Sequence, residues 1–145
     1  MTVNITGKVK FELVSPERIL ASEDVDMVVV PGTEGNFGVL PGHAPFISSI
    51  RPGTIDIYTG REIAERIFVA GGFAEVTNKR CTVLADDAVR VTALDRSQVE
   101  AELEQRKAEL DLVQGMADPA RLRAAERAVT VATAKLQALT RFADH

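Results

Sequence analysis

Residues 80–114 read RCTVLADDAVRVTALDRSQVEAELEQRKAELDLVQ, and within them the pattern changes from that of a strand to that of a helix. Arg80–Ala85 is rich in β-branched residues and flanked by turn formers, which predicts a strand. Ser97-Gln98-Val99-Glu100 has the spacing of a capping box, in which the serine side chain bonds the amide three residues on and the glutamate reaches back. We therefore expect a helix that runs to about Gln114, where Gly115 supplies a left-handed stop.

Before this stretch, the chain alternates at period two and is interrupted by glycine and proline. Nine of the ten glycines and five of the six prolines lie in the first half of the chain. Alternate apolar side chains share one face of Lys8–Val14 and of Thr54–Tyr58, while Asp26–Val30 and Arg66–Ala70 are rich in β-branched residues. Turn-forming Pro-Gly and Gly-Gly pairs separate these short strands. The pattern predicts an N-terminal β-sandwich, or flattened barrel, over residues 1–88.

After this stretch, Asp118-Pro119 predicts the start of a second helix, with the aspartate as the cap and the proline at the first helical position. Its apolar residues are spaced alternately by three and four, which is typical of a coiled-coil seam. These residues are Leu122, Ala125, Val129, Ala132, Leu136, Leu139 and Ala143. The short connection makes the two helices an antiparallel hairpin. We assign residues 89–96 to a linker and 97–145 to the hairpin.

The two predicted helices carry opposite charge. Residues 97–114 hold five acids and two bases, whereas residues 119–142 hold one acid and five bases. The bases of the second helix are Arg121, Arg123, Arg127, Lys135 and Arg141. Two interpretations stay open. Either the helices neutralise each other across the hairpin through weak exposed ion pairs, or the basic helix leaves its partner and binds an acidic surface.

Composition excludes several classes of protein. The 145 residues are 46% hydrophobic, which is typical of a globular chain, and no run of eighteen apolar residues predicts a membrane span. The net charge of −4, with no Trp and one Tyr, argues against nucleic acid as a partner. The N-terminus lacks the pattern of a signal peptide, and the single cysteine fits a reducing cytoplasm.

Few residues are candidates for chemistry. The segment Gly32–Gly38 lacks the Lys-Ser/Thr of a phosphate-binding loop, and Glu34 would repel phosphate, so it is predicted to be a hairpin loop. His43 is the only histidine besides the terminal His145, so no histidine cluster for a metal is expected. Cys81 alternates with buried positions of a strand and is expected in the core. We expect no catalytic site, no metal and no cofactor.

Three motifs resemble one protein family. Val30–Phe46, VPGTEGNFGVLPGHAPF, closely resembles the characteristic loop of the epsilon subunits of bacterial F-type ATP synthases, and so do Gly71–Thr77, GGFAEVT, and Thr82–Ala88, TVLADDA. Together with the two-helix tail, the resemblance covers essentially the whole chain. It implies a β-sandwich followed by a helical hairpin. It also implies a non-catalytic rotor subunit of the central stalk, bound to the gamma subunit and the ring of c subunits.

The resemblance implies two contact surfaces. The glycine-rich loop would contact the c-ring through Glu34, Asn36, Phe37 and His43. Many relatives carry an acid where this chain has Asn36, which offers only a neutral hydrogen bond. In the family the hairpin can also rise along gamma to the catalytic alpha/beta hexamer and block ATP hydrolysis, so the basic residues of the second helix would meet an acidic segment there.

Some relatives bind ATP through a motif of the form Ile/Leu-Asp-x-x-Arg-Ala. Leu94 and Asp95 match its first half, but Gln98 and Val99 replace the Arg-Ala, which removes the guanidinium that would hold phosphate. We expect no nucleotide binding. Because no basic, acid-poor presequence is present, we expect the bacterial form, peripheral on the cytoplasmic face of the inner membrane.

An alternative function from another class is a stand-alone β-sandwich module that binds a small ligand or carbohydrate. Its helices would then form an oligomerisation hairpin. A row of exposed aromatic residues would favour that module, and this chain has only six Phe and one Tyr.

Overall fold

The computed structural model describes the backbone of residues 7–143 and the side chains of residues 7–141. Its strands are β1 (Val9–Val14), β2 (Ile19–Val25), β3 (Met27–Gly32), β4 (Gly35–Val39), β5 (Phe46–Ile50), β6 (Gly53–Thr59), β7 (Glu62–Val69), β8 (Gly72–Val76), β9 (Arg80–Ala85) and β10 (Ala88–Arg90). A 3-10 turn at Val91–Ala93 precedes helices α1 (Arg96–Gln114) and α2 (Pro119–Ala143). The chain forms two compact units that divide after Arg90.

The strands of the first unit form one sheet in the order β10-β7-β6-β3-β5-β8-β9-β1-β2, with β4 paired to β3. Among the strand pairs that the structure describes, β1 and β9 run parallel, with Lys10 beside Arg80 and Val14 beside Leu84. The other pairs are antiparallel. The sheet curls into a nearly closed sandwich or barrel, which confirms the predicted fold class.

Alternation along the strands places the apolar core inside this sheet. Val9, Phe11 and Leu13 of β1 are buried, as are Ile55 and Ile57 of β6, so the predicted inward faces are confirmed. Each such side chain contributes about 1.5–3 kcal/mol when it is fully removed from water.

Helix α1 ends at Gln114 as predicted, but its N-cap and its C-terminal turn differ from the prediction. Asp95, not Ser97, is the N-cap, because its carboxylate accepts from the backbone N–H groups of Ser97 (2.9 Å) and Gln98 (3.4 Å). The predicted capping box is therefore wrong: the Ser97 hydroxyl donates to Asp95 instead (2.8 Å). Gly115 is not left-handed either, since its φ is −84°. The chain instead leaves the helix through a tight turn in which the Met116 N–H donates to the Val113 carbonyl (2.9 Å).

Helix α2 begins as predicted. The Arg121 N–H donates to the Asp118 carboxylate (3.2 Å), which confirms the cap. The helices pack along each other as an antiparallel hairpin, with Arg96 of α1 donating to Thr140 of α2 (3.4 Å). Ala132 of the predicted seam is buried, but so is Ala138, which lies outside the three-four spacing. The apolar stripe is thus broader than the spacing predicted.

Parts of the sequence-based assignment lie outside the described residues: residues 1–6 of the predicted sandwich segment, 144 and 145 of the hairpin segment, and the side chain of Ala143 in the seam. Strand β10 pairs with β7 and carries the sheet to Arg90. The division into functional segments 1–88, 89–96 and 97–145 stays a prediction.

Candidate functional site

The β3–β4 hairpin places Glu34 at an exposed tip. Thr33 and Glu34 form a two-residue turn between the paired glycines Gly32 and Gly35. Gly35 has a φ of +130°, which favours glycine. A Cβ at Gly32 would lie 2.8 Å from the Gly35 carbonyl oxygen. The predicted hairpin is present, but its loop is only the turn Thr33-Glu34, because residues 35–38 of the predicted loop belong to β4. The turn projects a carboxylate that forms no ion pair with residues 7–141.

Arg51, which follows β5, holds this hairpin from the side. Its backbone N–H donates to the Pro31 carbonyl (3.0 Å), and its guanidinium donates to the Gly32 carbonyl and to Asn36 Oδ1 (2.5 Å). Sequence reasoning missed Arg51 because nothing in its neighbourhood, Ile-Arg-Pro-Gly, links it to a loop fifteen residues earlier. The guanidinium of Arg51 therefore binds both strands of the β3–β4 hairpin, including the predicted contact residue Asn36.

The other two predicted loop residues, Phe37 in the middle of β4 and His43 after it, belong to an aromatic group. Phe37 and Phe46 meet edge to face with ring centroids 4.9 Å apart, and His43 lies 5.1 Å from Phe46. His43 Nδ1 donates to the Ala44 carbonyl (2.8 Å). Asn36 and Phe37 are neighbours on β4 and point to opposite faces of the strand. The structure therefore groups Asn36 with Arg51, and Phe37 with Phe46 and His43.

A row of apolar side chains crosses the outer face of the sheet. Phe73 of β8 lies beside Leu84 of β9, Leu84 beside Val14 of β1, and Val14 beside Ile19 of β2. Ile47 of β5 extends this outer apolar row, because it lies two residues from Ser49, the partner of Phe73. Ile19, Ile47, Phe73 and Leu84 are 67%, 74%, 57% and 56% exposed. A contiguous exposed apolar patch marks an interaction site.

Opposite charges meet across the hairpin at Lys135, which donates to Glu102 (3.4 Å). Other acids of α1 pair with bases of their own helix: Glu100 with Arg96 (3.8 Å), Glu104 with Lys107 (3.8 Å) and Glu109 with Arg106 (2.8 Å). Neutralisation across the hairpin therefore involves Lys135, while much of the α1 charge is balanced locally.

The bases at the start of α2 lie on exposed positions. Arg121 contacts the Met116 sulfur (3.6 Å), and Arg123 forms no ion pair with any residue that the structure describes. Arg127 and Arg141 have interactions of their own, and Arg141 lines an open groove on α2 with Thr133, Gln137 and other residues of that helix. The five predicted bases thus do not form one cluster: Lys135 belongs to the hairpin interface, and Arg121 and Arg123 face outwards.

The residues of the nucleotide motif have structural roles. The pKa of Asp95 is lowered by hydrogen bonds from the Ser97 hydroxyl and from the Gln98 and Ser97 amides, so this carboxylate is committed to capping α1. Val99 is buried and Gln98 is exposed. The absence of nucleotide binding stays a prediction.

Burial raises the pKa of the Cys81 thiol to about 12, and Cys81 lies in the core as predicted. Among the described residues, no group of three or more His, Cys, Asp or Glu side chains is placed to hold a metal. Within the same range, neither helix is long and apolar enough to cross a membrane.

Comparison with known proteins identifies the first unit. Residues 8–91 match the family model of the ATP synthase delta/epsilon chain β-sandwich domain. The ATP synthase epsilon chain of Rhodospirillum rubrum is 60% identical over 95 residues, covering 66% of this chain and 71% of that protein. The epsilon chain of Rhodospirillum centenum is 50% identical over 144 residues, covering 97% of both. The second match therefore includes the helical hairpin.

Solved structures share the fold. A chain of the mitochondrial ATP synthase of Euglena gracilis, from a structure of OSCP, F1 and the c-ring, has a TM-score of 0.77 at 23% identity, covering 96% of this chain and 86% of that one. A chain from the central stalk and c-ring of Tetrahymena thermophila mitochondrial ATP synthase has a TM-score of 0.58 at 17% identity, covering 92% and 95%. At this identity the two matches show the fold alone. The family model and the bacterial relatives show that the chain belongs to the family of epsilon subunits of bacterial F-type ATP synthases.

Proposed function

We propose that this chain is a non-catalytic rotor subunit of the central stalk, which couples rotation of the c-ring to the catalytic head. The observation that carries the proposal is that one β-domain of this family bears two distinct exposed surfaces. The first is the polar hairpin tip at Glu34, and the second is the outer apolar row. A subunit that joins a membrane ring to a stalk needs two such surfaces. In a bacterium the chain would lie on the cytoplasmic face of the inner membrane.

The hairpin tip is the proposed contact with the c-ring. Glu34 is exposed and lacks an ion-pair partner among residues 7–141, so it is available for a base on a polar loop of the ring. The two-residue turn holds Glu34 in one orientation, which favours such an ion pair. His43 and Phe37 both pack against Phe46, and these contacts support the loop.

The outer apolar row is the proposed contact with gamma. Its side chains lie opposite one another on adjacent strands, so they would be buried together by one partner surface. Burial of exposed apolar area contributes about 25 cal/mol per Å², which makes this row a stronger source of affinity than exposed charges. The rigid sheet beneath it would turn with gamma as one body.

The helical hairpin is the proposed regulatory part. Arg121 and Arg123 project outwards from the start of α2, which suits an acidic surface on the catalytic hexamer. We propose that this contact limits ATP hydrolysis. The pairing of Lys135 with Glu102 supports a hairpin that stays folded as a unit while it does so.

The loop contact is tested by Glu34→Gln in the complete enzyme, with Glu62→Gln at the exposed start of β7 as the matched control. We expect Glu34→Gln to lower proton-driven ATP synthesis in membrane vesicles, because the charge that pairs with the ring is lost. Hydrolysis by the detached catalytic head should stay unchanged, since the loop holds no reacting group. An equal fall in hydrolysis by the detached head would refute the assignment.

The gamma contact is tested by Phe73→Ser combined with Leu84→Ser, both at exposed positions that the core does not use. Binding to isolated gamma should weaken by at least about tenfold, because two large apolar side chains leave the interface. Leu112→Ser, at an equally exposed apolar position on α1, is the control and should bind gamma normally. Retention of gamma by the double variant would show that the row faces another partner.

A further inference from the structure

Arg51 connects parts of the β-domain that are distant in sequence. Its backbone N–H binds Pro31, one arm of its guanidinium binds the Gly32 carbonyl, and the other arm binds Asn36 Oδ1. Pro31 and Asn36 face each other across the β3–β4 hairpin, and Gly32 begins its turn. One residue outside the hairpin therefore holds both of its strands next to the tip that carries Glu34.

The chemistry of this contact fixes the orientation of Asn36. A guanidinium has donors only, so the atom of the amide that faces it must be the oxygen. The two N–H donors on Nδ2 then point away from Arg51. Asn36 thus uses its acceptor in a bond within the chain and keeps its donors for a partner.

We propose that Arg51 is the positioning residue of the contact loop, which fixes the hairpin tip in its binding conformation before the partner arrives. A planar guanidinium that makes two hydrogen bonds loses less freedom for each bond than a lysine would. A pre-ordered loop avoids the entropy cost of ordering on contact, which strengthens binding without any new contact to the partner. The inference rests on the proposed function, because it takes the tip to be the surface that meets the c-ring.

The first test uses the isolated full-length chain and needs no partner. Arg51→Gln should speed amide hydrogen exchange at the hairpin tip by about tenfold, since two hydrogen bonds to a charged donor are lost. Amides of the core strand β9 should keep their rates. Arg61→Gln, in the exposed β6–β7 turn, removes the same charge and should change neither. Unchanged exchange at the tip in Arg51→Gln overturns the proposal.

A pH profile separates positioning from a general structural effect. Asn36→Asp places a carboxylate against Arg51, whose charge would lower the folded-state pKa of the new group. Tip exchange in Asn36→Asp should therefore be slower than in the unaltered protein above about pH 5, and this protection should be lost as pH falls from about 4 through the lowered folded-state pKa. In the Arg51→Gln background the same change should give no pH-dependent protection. Protection that persists without Arg51 contradicts the proposed contact.

The second test uses the assembled enzyme in membrane vesicles. Arg51→Gln should lower proton-driven ATP synthesis, and Arg51→Lys, which keeps one donor group, should restore part of it. If the tip loosens in the isolated chain and synthesis falls with Glu34→Gln but not with Arg51→Gln, the positioning role is wrong. If neither variant lowers synthesis, the proposed contact with the ring fails while the structural role of Arg51 stands.

Discussion

At the scale of single residues, Gly72 marks the closest approach of two strands. Its φ is +138°, and a Cβ built there would lie 2.0 Å from the Leu84 carbonyl oxygen. A side chain would thus push β8 and β9 apart in the middle of the sheet. Gly115 provides the contrast, because its φ is −84° and nothing lies within 4 Å of its added Cβ.

We expect Gly72→Ala to lower the free energy of unfolding by about 3 kcal/mol or more, because backbone strain and a clash with backbone atoms add together. Gly115→Ala should change it by less than about 1 kcal/mol, in the stabilising direction, since it restricts only the unfolded chain. Urea unfolding of both full-length variants measures the difference. Equal midpoints would show that the sheet yields at Gly72.

A second residue-scale feature is Asp26, whose carboxylate pairs with Lys8 and accepts from the Gly60 N–H (2.6 Å). The hydrogen bond from Lys8, and then that from Gly60, lower its pKa. A lowered folded-state pKa means that the contribution to stability is present above the unfolded value of about 4 and is lost as pH falls through the folded value.

We therefore expect Asp26→Asn to lower the thermal midpoint at pH 7 and to approach the unaltered protein in acid, as the pH falls below the lowered pKa of the aspartate. Asp24→Asn, on the neighbouring exposed part of β2, is the control for a general charge effect. A difference between Asp26→Asn and the unaltered protein that is the same at pH 7 and in acid would contradict the ion-pair account.

At the scale of elements, the hairpin separates two kinds of positive charge. Lys135 is engaged with Glu102 at the helix interface, whereas Arg121 and Arg123 lie on exposed positions near the turn. Only the exposed group is available to a partner without separating the helices. Neutralisation across the hairpin therefore applies to Lys135, while binding of an acidic surface by the exposed bases stays a prediction.

Replacing Arg121, Arg123 and Arg127 with Gln should raise ATP hydrolysis by the intact enzyme if these bases meet an acidic surface of the hexamer. Added salt should have the same effect, since the Debye length falls from about 10 Å at 0.1 M to about 3 Å at 1 M. The measurement is hydrolysis rate alongside hairpin melting.

Replacing Arg18, Arg61 and Lys79 with Gln removes the same amount of positive charge from exposed positions of the β-domain. This triple variant is the control. An unchanged hydrolysis rate with a lowered melting temperature in the α2 variant would refute the regulatory role.

Sequence patterns located elements better than their ends. Asp118-Pro119 predicted the start of α2 because cap and proline are adjacent in sequence and need no tertiary partner. Ser97 lost to Asp95 because two candidate caps lay two residues apart, and a carboxylate is the stronger acceptor for free amides. Short strands such as β4 were missed, since their pairing depends on distant parts of the chain.

The residues of the candidate site were likewise only partly predicted from the sequence. Glu34 was identified only through the family resemblance, and the structure places it at an exposed turn between two glycines. Arg51 was missed because its three hydrogen bonds arise only when β5 has returned beside the hairpin. The outer apolar row was missed for the same reason: its members come from five strands, and only the register brings them together.

At the scale of the whole molecule, the last strand of the sheet is β10, which ends at Arg90. It pairs with β7, and Arg90 forms an ion pair with Glu65. A chain that ends at Asp95 keeps this strand. We expect it to fold with a cooperative transition and to bind gamma, because the core of the first unit uses residues up to Ala88.

The matched control is a chain that ends at Asp86, which lacks β10. It should unfold at a markedly lower denaturant concentration, since the edge of β7 is left unpaired. An insoluble product from the longer truncation, or a folded one that does not bind gamma, would contradict the proposed division of labour.

The parallel pairing of β1 with β9 has a consequence for how the protein is made. A ribosome releases β1 first, but its partner emerges only after most of the domain has been synthesised, since Lys10 pairs with Arg80. Until β9 has been synthesised, β1 lacks its parallel partner, and the nascent chain exposes an unpaired strand edge with the apolar residues Phe11 and Leu13. Such long-range pairing slows folding, so the domain acquires its structure late in translation and needs protection from aggregation before that point.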